Sequence, residues 1–237
     1  MAPIGLIAWK EFKTYFTSWM AYVLMAGWLL IGGLLFSVLL RQPDNFQISA
    51  VYPFLITVLL FVVPLVTMRL VAEESEAGTL EMLFTSPLTE WQVTLGKFFG
   101  AWGFIGVLLL LTTQYAIIAA RFGTVESGPL WGSAVALLCV GASFAAFGLF
   151  CSSLTKSQVV AGFMTFGGLL LSWMLSFVAQ SAPTNPVATF VGQWSVFSHF
   201  LAMLRGAIDT RDLVFFVSLT LFFLFATTRV LESRRWR

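Results

Sequence analysis

"SQVVAGFMTFGGLLLSWMLSFVAQSAPTNPVATFVGQWSVFSHFLAML", residues 157–204, runs for 48 residues without an Asp, Glu, Lys or Arg. A membrane-crossing helix needs about 20 apolar residues, so this window could hold two spans. How it divides decides the span count of the whole chain. Its centre, "SAPTNP" at 181–186, carries two prolines that interrupt a helix. Its second half contains Gln193, Ser195, Ser198 and His199, a polar load that suits a bilayer edge better than its middle. The reading adopted is one span from near Ser157, then a short re-entrant or interfacial pair of helices within 181–212.

Composition makes the bilayer the solvent. The chain is 59% hydrophobic and 10% charged, with mean hydropathy +0.90 and 25 phenylalanines; soluble domains carry about 25% charged residues. Such a sequence cannot hide its apolar surface inside itself. A net charge of +2 gives no reason to expect nucleic acid. Cys139 and Cys151 are twelve residues apart in one apolar run, about 18 Å along a helix, so they read as buried thiols.

Charge-free windows set the other spans, because a charge at the bilayer centre costs about 2.5–3.5 kcal/mol even on mild scales. They are Trp19–Leu40, Val51–Met68 with Pro64 as a kink, Phe98–Ala120, Leu130–Leu154 entered through Ser127-Gly128-Pro129, and Leu213 to about Leu231. The first reads as a retained anchor, since it lacks a small-residue cleavage site. Six spans put both ends of the chain on one side. With that side cytoplasmic, nine cations lie inside (Lys10, Lys13, Arg69, Lys97, Lys156, Arg229, Arg234, Arg235, Arg237) and four outside (Arg41, Arg121, Arg205, Arg211), as the positive-inside bias requires. The expected fold is therefore an all-α integral membrane protein, a single domain over 1–237 with six transmembrane helices, N-in and C-in.

Before the first span, residues 1–18 place Trp9, Phe12, Tyr15 and Phe16, with Trp19, on one side of a helical wheel, and Lys10, Lys13, Thr14 and Thr17 on the other. That pattern predicts an interfacial amphipathic helix; the plainer alternative is a ragged start to span one. In span four, Gly141, Ala142, Ala145, Ala146 and Gly148 offer a small-residue face for close helix approach, within the bundle or against a second protomer.

Five of the eleven acidic residues (Glu73, Glu74, Glu76, Glu81, Glu90) crowd into eighteen positions of "RLVAEESEAGTLEMLFTSPLTEWQ", residues 69–92. Gly78-Thr79 offers a helix start, with Glu81 in its first turn. Leu80, Leu83 and Phe84 make an apolar face, and Ser86-Pro87 stops it. Thr89 and Gln92 are spaced as a capping box for the next helix, with Leu88 and Val93 as its staple. The segment 69–97 then reads as a stiff elbow joined to span three. The competing reading is a solvated acidic loop lying close to Arg69 and Lys97.

There is no P-loop around Gly96-Lys97, no H-E-x-x-H, and no acid inside a span. ATP hydrolysis, intramembrane proteolysis and ion coupling through a buried carboxylate are all disfavoured on this chain. Outside span six lie His199, Arg205, Gly206, Asp209, Arg211 and Asp212, readable as an outer gate held by Arg–Asp pairs. The alternative gives Asp209 a capping role and lets Arg211 snorkel.

"RLVAEESEAGTLEMLFTSPLTEWQVTLGKF" resembles the segment after the second span of ABC-2 type transporter permeases, of the form E-E-x-x-x-G-T-L-E-x-L-x-x-x-P before G-K-F. "SHFLAMLRGAIDTRDLVFF", 198–216, is similar to the stretch before the last span in the gliding-motility-associated branch. The resemblance implies that 69–97 is a cytoplasmic coupling helix, with Glu73, Glu74, Gly78, Thr79, Leu80, Glu81, Leu83, Ser86 and Pro87 meeting a separate ATPase. It also implies no enzyme activity or cofactor on this chain, since ATP and Mg would sit on two ATPase partners. A second permease chain, identical or related, membrane lipid, an accessory extracytoplasmic protein and a bacterial cytoplasmic membrane complete the implied setting. Export is its implied direction. The rival is a membrane anchor that relays ATPase strokes to an envelope or motility complex and moves no solute.

Overall fold

The computed structural model describes residues 3–41, 51–79, 88–119, 127–181, 190, 192–204 and 209–235. Their helices are α1 (Pro3–Thr17), α2 (Trp19–Leu40), α3 (Tyr52–Thr67), α4 (Ala72–Glu76), α5 (Glu90–Ala119), α6 (Ser127–Leu154), α7 (Gln158–Ser181), α8 (Val196–Leu204) and α9 (Thr210–Arg235). No strand occurs among the described residues. Six stretches are long and apolar enough to cross a membrane: α2, α3 continued through α4 to Glu76, α5, α6, α7 and α9. The long charge-free window thus yields one span, α7, and then α8, which at nine residues is far too short to cross. Residues 182–189, with most of "SAPTNP", lie outside the described residues.

Each boundary has a local cause. Ser18 separates α1 from α2 with extended backbone, and its hydroxyl accepts a hydrogen bond from the Met20 N–H. Pro53 sits in the first turn of α3, where its missing N–H costs nothing, and Pro64 lies inside the same helix. Hydroxyls within the spans are satisfied by their own helix: Thr57, Thr67, Thr112 and Thr228 each donate to the carbonyl four residues back. In a solvent without water this keeps polar side chains tolerable.

The hub of the bundle is α6, which packs against α3, α5, α7, α8 and α9. Its small residues work inside the chain. A Cβ on Gly141 would stand 2.9 Å from Ile105 Cγ2, and one on Gly148 would overlap Thr67; Ala145 and Ala146 are fully buried. Sparse polar contacts lock the crossings. Trp28 Nε1 donates to Thr112 Oγ1 at 3.1 Å, Tyr115 donates to the Leu29 carbonyl at 2.6 Å, and Ser143 donates to the Phe216 carbonyl at 3.2 Å. Each such interhelical bond contributes on the order of 0.6 kcal/mol in lipid.

α1 does not stand apart from the bundle; it lies along the first half of α5. Cβ atoms on Gly96 and Gly100 would come within 2.6 Å of Ile7 and 2.5 Å of Glu11, and one on Gly103 within 3.2 Å of Phe12. The half-buried positions of α1 are 3, 4, 7, 8, 11, 12, 15 and 16, the three–four spacing of a packed helix face. The aromatic side read from the sequence therefore splits. Phe12, Tyr15 and Phe16 turn inward, and Tyr15 and Phe16 meet Phe104. Trp9 and Trp19 are exposed, beside the exposed Lys10 and Lys13.

Candidate functional site

The end of the bundle that carries α1 and α4 gathers most of the described charge. After α3, the chain turns through 68–71 into the single turn of α4, whose unpaired N-terminal amides need acceptors. Ser152, at the end of α6, supplies them. Its hydroxyl accepts from Val71 N–H at 3.1 Å and Ala72 N–H at 3.0 Å, while donating to the Met68 carbonyl at 3.1 Å. α4 closes at Gly78, whose φ of 70° is the left-handed conformation that favours glycine. Thr79 N–H returns to the Glu74 carbonyl at 3.0 Å, as in a Schellman stop. Gly78-Thr79, expected as a helix start, thus ends the turn before it. Leu80, Glu81, Leu83, Ser86 and Pro87 lie outside the described residues.

The next described structure is the entry to α5. The reciprocal capping-box bonds are formed: Thr89 N–H to Gln92 Oε1 at 3.2 Å and Gln92 N–H to Thr89 Oγ1 at 3.4 Å.

Two turns further on stands Lys97, with a side chain only 3% exposed. Its ammonium bridges Glu11 at 2.9 Å and Glu74 at 2.8 Å, so one cation joins α1, α4 and α5. The second oxygen of Glu74, Oε2, is buried without a hydrogen-bond partner. Nearby, Tyr15 donates to the Val66 carbonyl at 2.9 Å. Burial, reinforced by the Glu11 carboxylate, holds this phenol far above its usual range, so it remains a donor. α9 reaches the same place: Arg234 donates to Ser75 Oγ at 3.0 Å, and the Thr228 and Thr94 hydroxyl oxygens stand 3.4 Å apart. Between α1, α2, α3 and the 69–79 turn lies a cavity of about 660 Å³, bordered by Arg69, Glu73, Glu74 and Lys97 among others.

Sequence reasoning placed Glu73, Glu74, Gly78 and Thr79 at this site and missed Glu11, Ser152 and the bridging part of Lys97. Lys97 was read as an inside cation near the acidic stretch, not as a bridge between helices. A usable signal existed: Gly96, Gly100 and Gly103 share one face of α5 and mark a seat for another helix.

The other outlying cluster lies where α9 begins, about 33 Å from Arg234 by helical rise. His199, on α8, has Nδ1 2.6 Å from Asp212 Oδ1 and Nε2 3.0 Å from the Gln193 carbonyl, and its ring stacks on Phe215 at 4.1 Å. Both ring nitrogens thus face oxygen atoms, one on α9 and one just before α8. Asp209 Oδ1 accepts from Arg211 N–H at 3.1 Å, the capping role weighed above. Arg205 and Gly206 lie outside the described residues. The pair that joins α8 to α9 is His–Asp, which the sequence did not single out; no Arg–Asp pair occurs here among the described residues.

Comparison with known proteins gives two results. A family model described as "ABC-2 family transporter protein" matches residues 35–231. The "Probable multidrug ABC transporter permease YbhR" of Escherichia coli strain K12 is 33% identical over 129 residues, as is its counterpart in strain O157:H7. The match covers 53% of this chain and 33% of each permease, so the chain spans about a third of the length of these curated relatives. Neither result singles out the gliding-motility-associated branch.

Proposed function

Because this chain belongs to the ABC-2 family of transporters and is a multi-pass membrane protein, we propose that it is the permease subunit of an ATP-driven exporter. A partner ATPase pair binds ATP and Mg; this chain hydrolyses nothing and couples their closure to movement of a substrate. The charged end of the bundle faces the cytoplasm, in a bacterial cytoplasmic membrane, with residues 69–97 as the coupling segment. α1 lies at that leaflet, its exposed Trp9, Lys10 and Lys13 toward the headgroups. A second permease chain completes the pathway.

The observation that supports this reading is the mount of the coupling segment. Lys97 bonds it to α5 and α1, Ser152 bonds it to α6, and Arg234 bonds it to α9. A displacement at 73–79 is therefore delivered to four membrane-anchored elements together. α3 and α5, continuous with the segment at either end, would shift against the partner protomer. The anchor that moves no solute is not favoured by membership of a transporter family.

Arginine at both Glu81 and Leu83 should release the ATPase from the detergent-solubilised complex while the permease still inserts. Retained co-purification overturns the coupling assignment. Cysteines replacing Asp44 or Glu126, one at a time, should react with an impermeant maleimide on intact cells. Reaction only after lysis overturns the orientation.

A further inference from the structure

The cavity at the charged end continues into the membrane. Leu24 and Leu65 border both it and a second hollow of about 440 Å³ between α2 and α3. The second hollow is lined by apolar side chains such as Val58, Phe61 and Leu35, with Thr57 the one hydroxyl among them, and Thr57 is already bonded within its own helix. On α2 it extends from Val23 to Leu35, about 18 Å by helical rise, a little over half of a hydrocarbon core of about 30 Å. The two hollows thus form a charged chamber at one end and an apolar slot one leaflet deep.

The chamber's charges are balanced but separated. Lys10, Arg69 and Lys97 stand against Glu11, Glu73 and Glu74. Lys97 is fully occupied by Glu11 and Glu74, a cluster that still carries one excess negative charge. Arg69 has no ion pair among the described residues, and neither has Glu73. A ligand that met these groups would present an anion to Arg69 and an N–H-bearing cation to Glu73 and Glu74, with an apolar tail behind.

We infer that this pair of hollows binds a phospholipid with a phosphate and a primary ammonium in its headgroup, of the phosphatidylethanolamine class. Its phosphate lies at Arg69, its ammonium at the Glu73–Glu74 carboxylates, and an acyl chain between α2 and α3. A headgroup without an ammonium leaves Glu73 unpaired, and its phosphate meets the excess negative charge of the Glu11–Lys97–Glu74 cluster. A quaternary ammonium fits the charge but has no N–H to give the Glu73 carboxylate, which lines the chamber without an ion pair among the described residues. A chamber of about 660 Å³ lies within the range of about 300–1,000 Å³ usual for small-molecule sites. This rests on the permease reading only for which leaflet supplies the lipid; the chemistry of the site stands without it.

The test uses the purified, delipidated full chain in detergent. It is offered phosphatidylethanolamine, phosphatidylcholine or phosphatidylglycerol with identical acyl chains, and bound lipid is counted by native mass spectrometry. Phosphatidylethanolamine should be retained about ten-fold over the other two, roughly the worth of one charge-assisted hydrogen bond. Glu73→Gln, and separately Leu24→Trp at the junction of the hollows, should each remove that preference. Leu171→Trp on the exposed side of α7 should not, and circular dichroism checks that every variant is folded. Equal retention of the three lipids, or an undiminished preference in both site variants, overturns the inference. A chain that prefers phosphatidylethanolamine but never holds an ATPase sinks the permease reading alone. One that holds the ATPase without lipid preference sinks this inference alone.

Discussion

Replacing Lys97 with methionine should loosen the charged end of the bundle more than any other single side-chain truncation there. The ammonium is nearly inaccessible and is shared by two carboxylates at 2.9 and 2.8 Å. Removing it leaves Glu11 and Glu74 facing one another across a partly buried gap. Breaking a buried pair from one side costs about 3–5 kcal/mol, and the partial exposure of both carboxylates places this case near about 3 kcal/mol. The change should appear as a lower melting temperature in detergent and as faster trypsin cleavage at the exposed Lys10 and Lys13 of α1. It should also abolish coupling: ATPase turnover would persist, uncoupled from the permease. Adding Glu11→Gln and Glu74→Gln to Lys97→Met removes the stranded charge, so stability should largely return. Coupling should not, because neutral side chains of that length do not tie the three helices together. If the triple variant regains both, the triad serves stability alone.

The six spans were legible because the physics that sets them is coarse. One charge at mid-bilayer costs more than any local propensity, so charge-free windows map onto helices almost residue for residue. Trp19–Leu40 is the clearest example, and α5 only begins earlier than its window because its first two turns, Glu90 to Lys97, lie outside the apolar stretch. The same reasoning failed at Lys97. Burial of a cation is readable only from its partners, and these come from 86 and 23 positions away. Hydropathy carries no record of such pairs. α1 was found, but its aromatic residues were read as one surface and they split, with Phe12, Tyr15 and Phe16 turned inward and Trp9 and Trp19 exposed. Its real inner face includes Ile4, Ile7, Ala8 and Glu11, chosen by the groove that α5's glycines leave open. His199 and Asp212 were both named, but their pairing depends on the angle between α8 and α9, which no spacing rule supplies.

That groove gives the sharpest test of α1's place. Gly100→Val should displace α1, because a Cβ there would stand 2.5 Å from Glu11 Cβ and 3.2 Å from the Ala8 carbonyl oxygen. The first contact is with the root of a side chain and the second with helix backbone, so neither can yield without moving the helix. Overpacking of this kind costs about 1–3 kcal/mol. Here it also pulls Glu11 away from Lys97, so the loss of the bridge adds to it. Gly106, one and a half turns further along α5, has nothing within 4 Å of the corresponding position. Gly106→Ala should therefore be neutral or stabilising by up to about 1 kcal/mol, the ordinary gain in helix propensity. Of the two substitutions on one helix only Gly100→Val is expected to lower the melting temperature, and only it should speed trypsin cleavage at Lys10 and Lys13. Equal effects would mean that α5 tolerates or resents any added side chain regardless of α1. Lys97 would then hold a loosely apposed helix, and the segment 73–79 would lack the stiff mount on which the coupling mechanism depends.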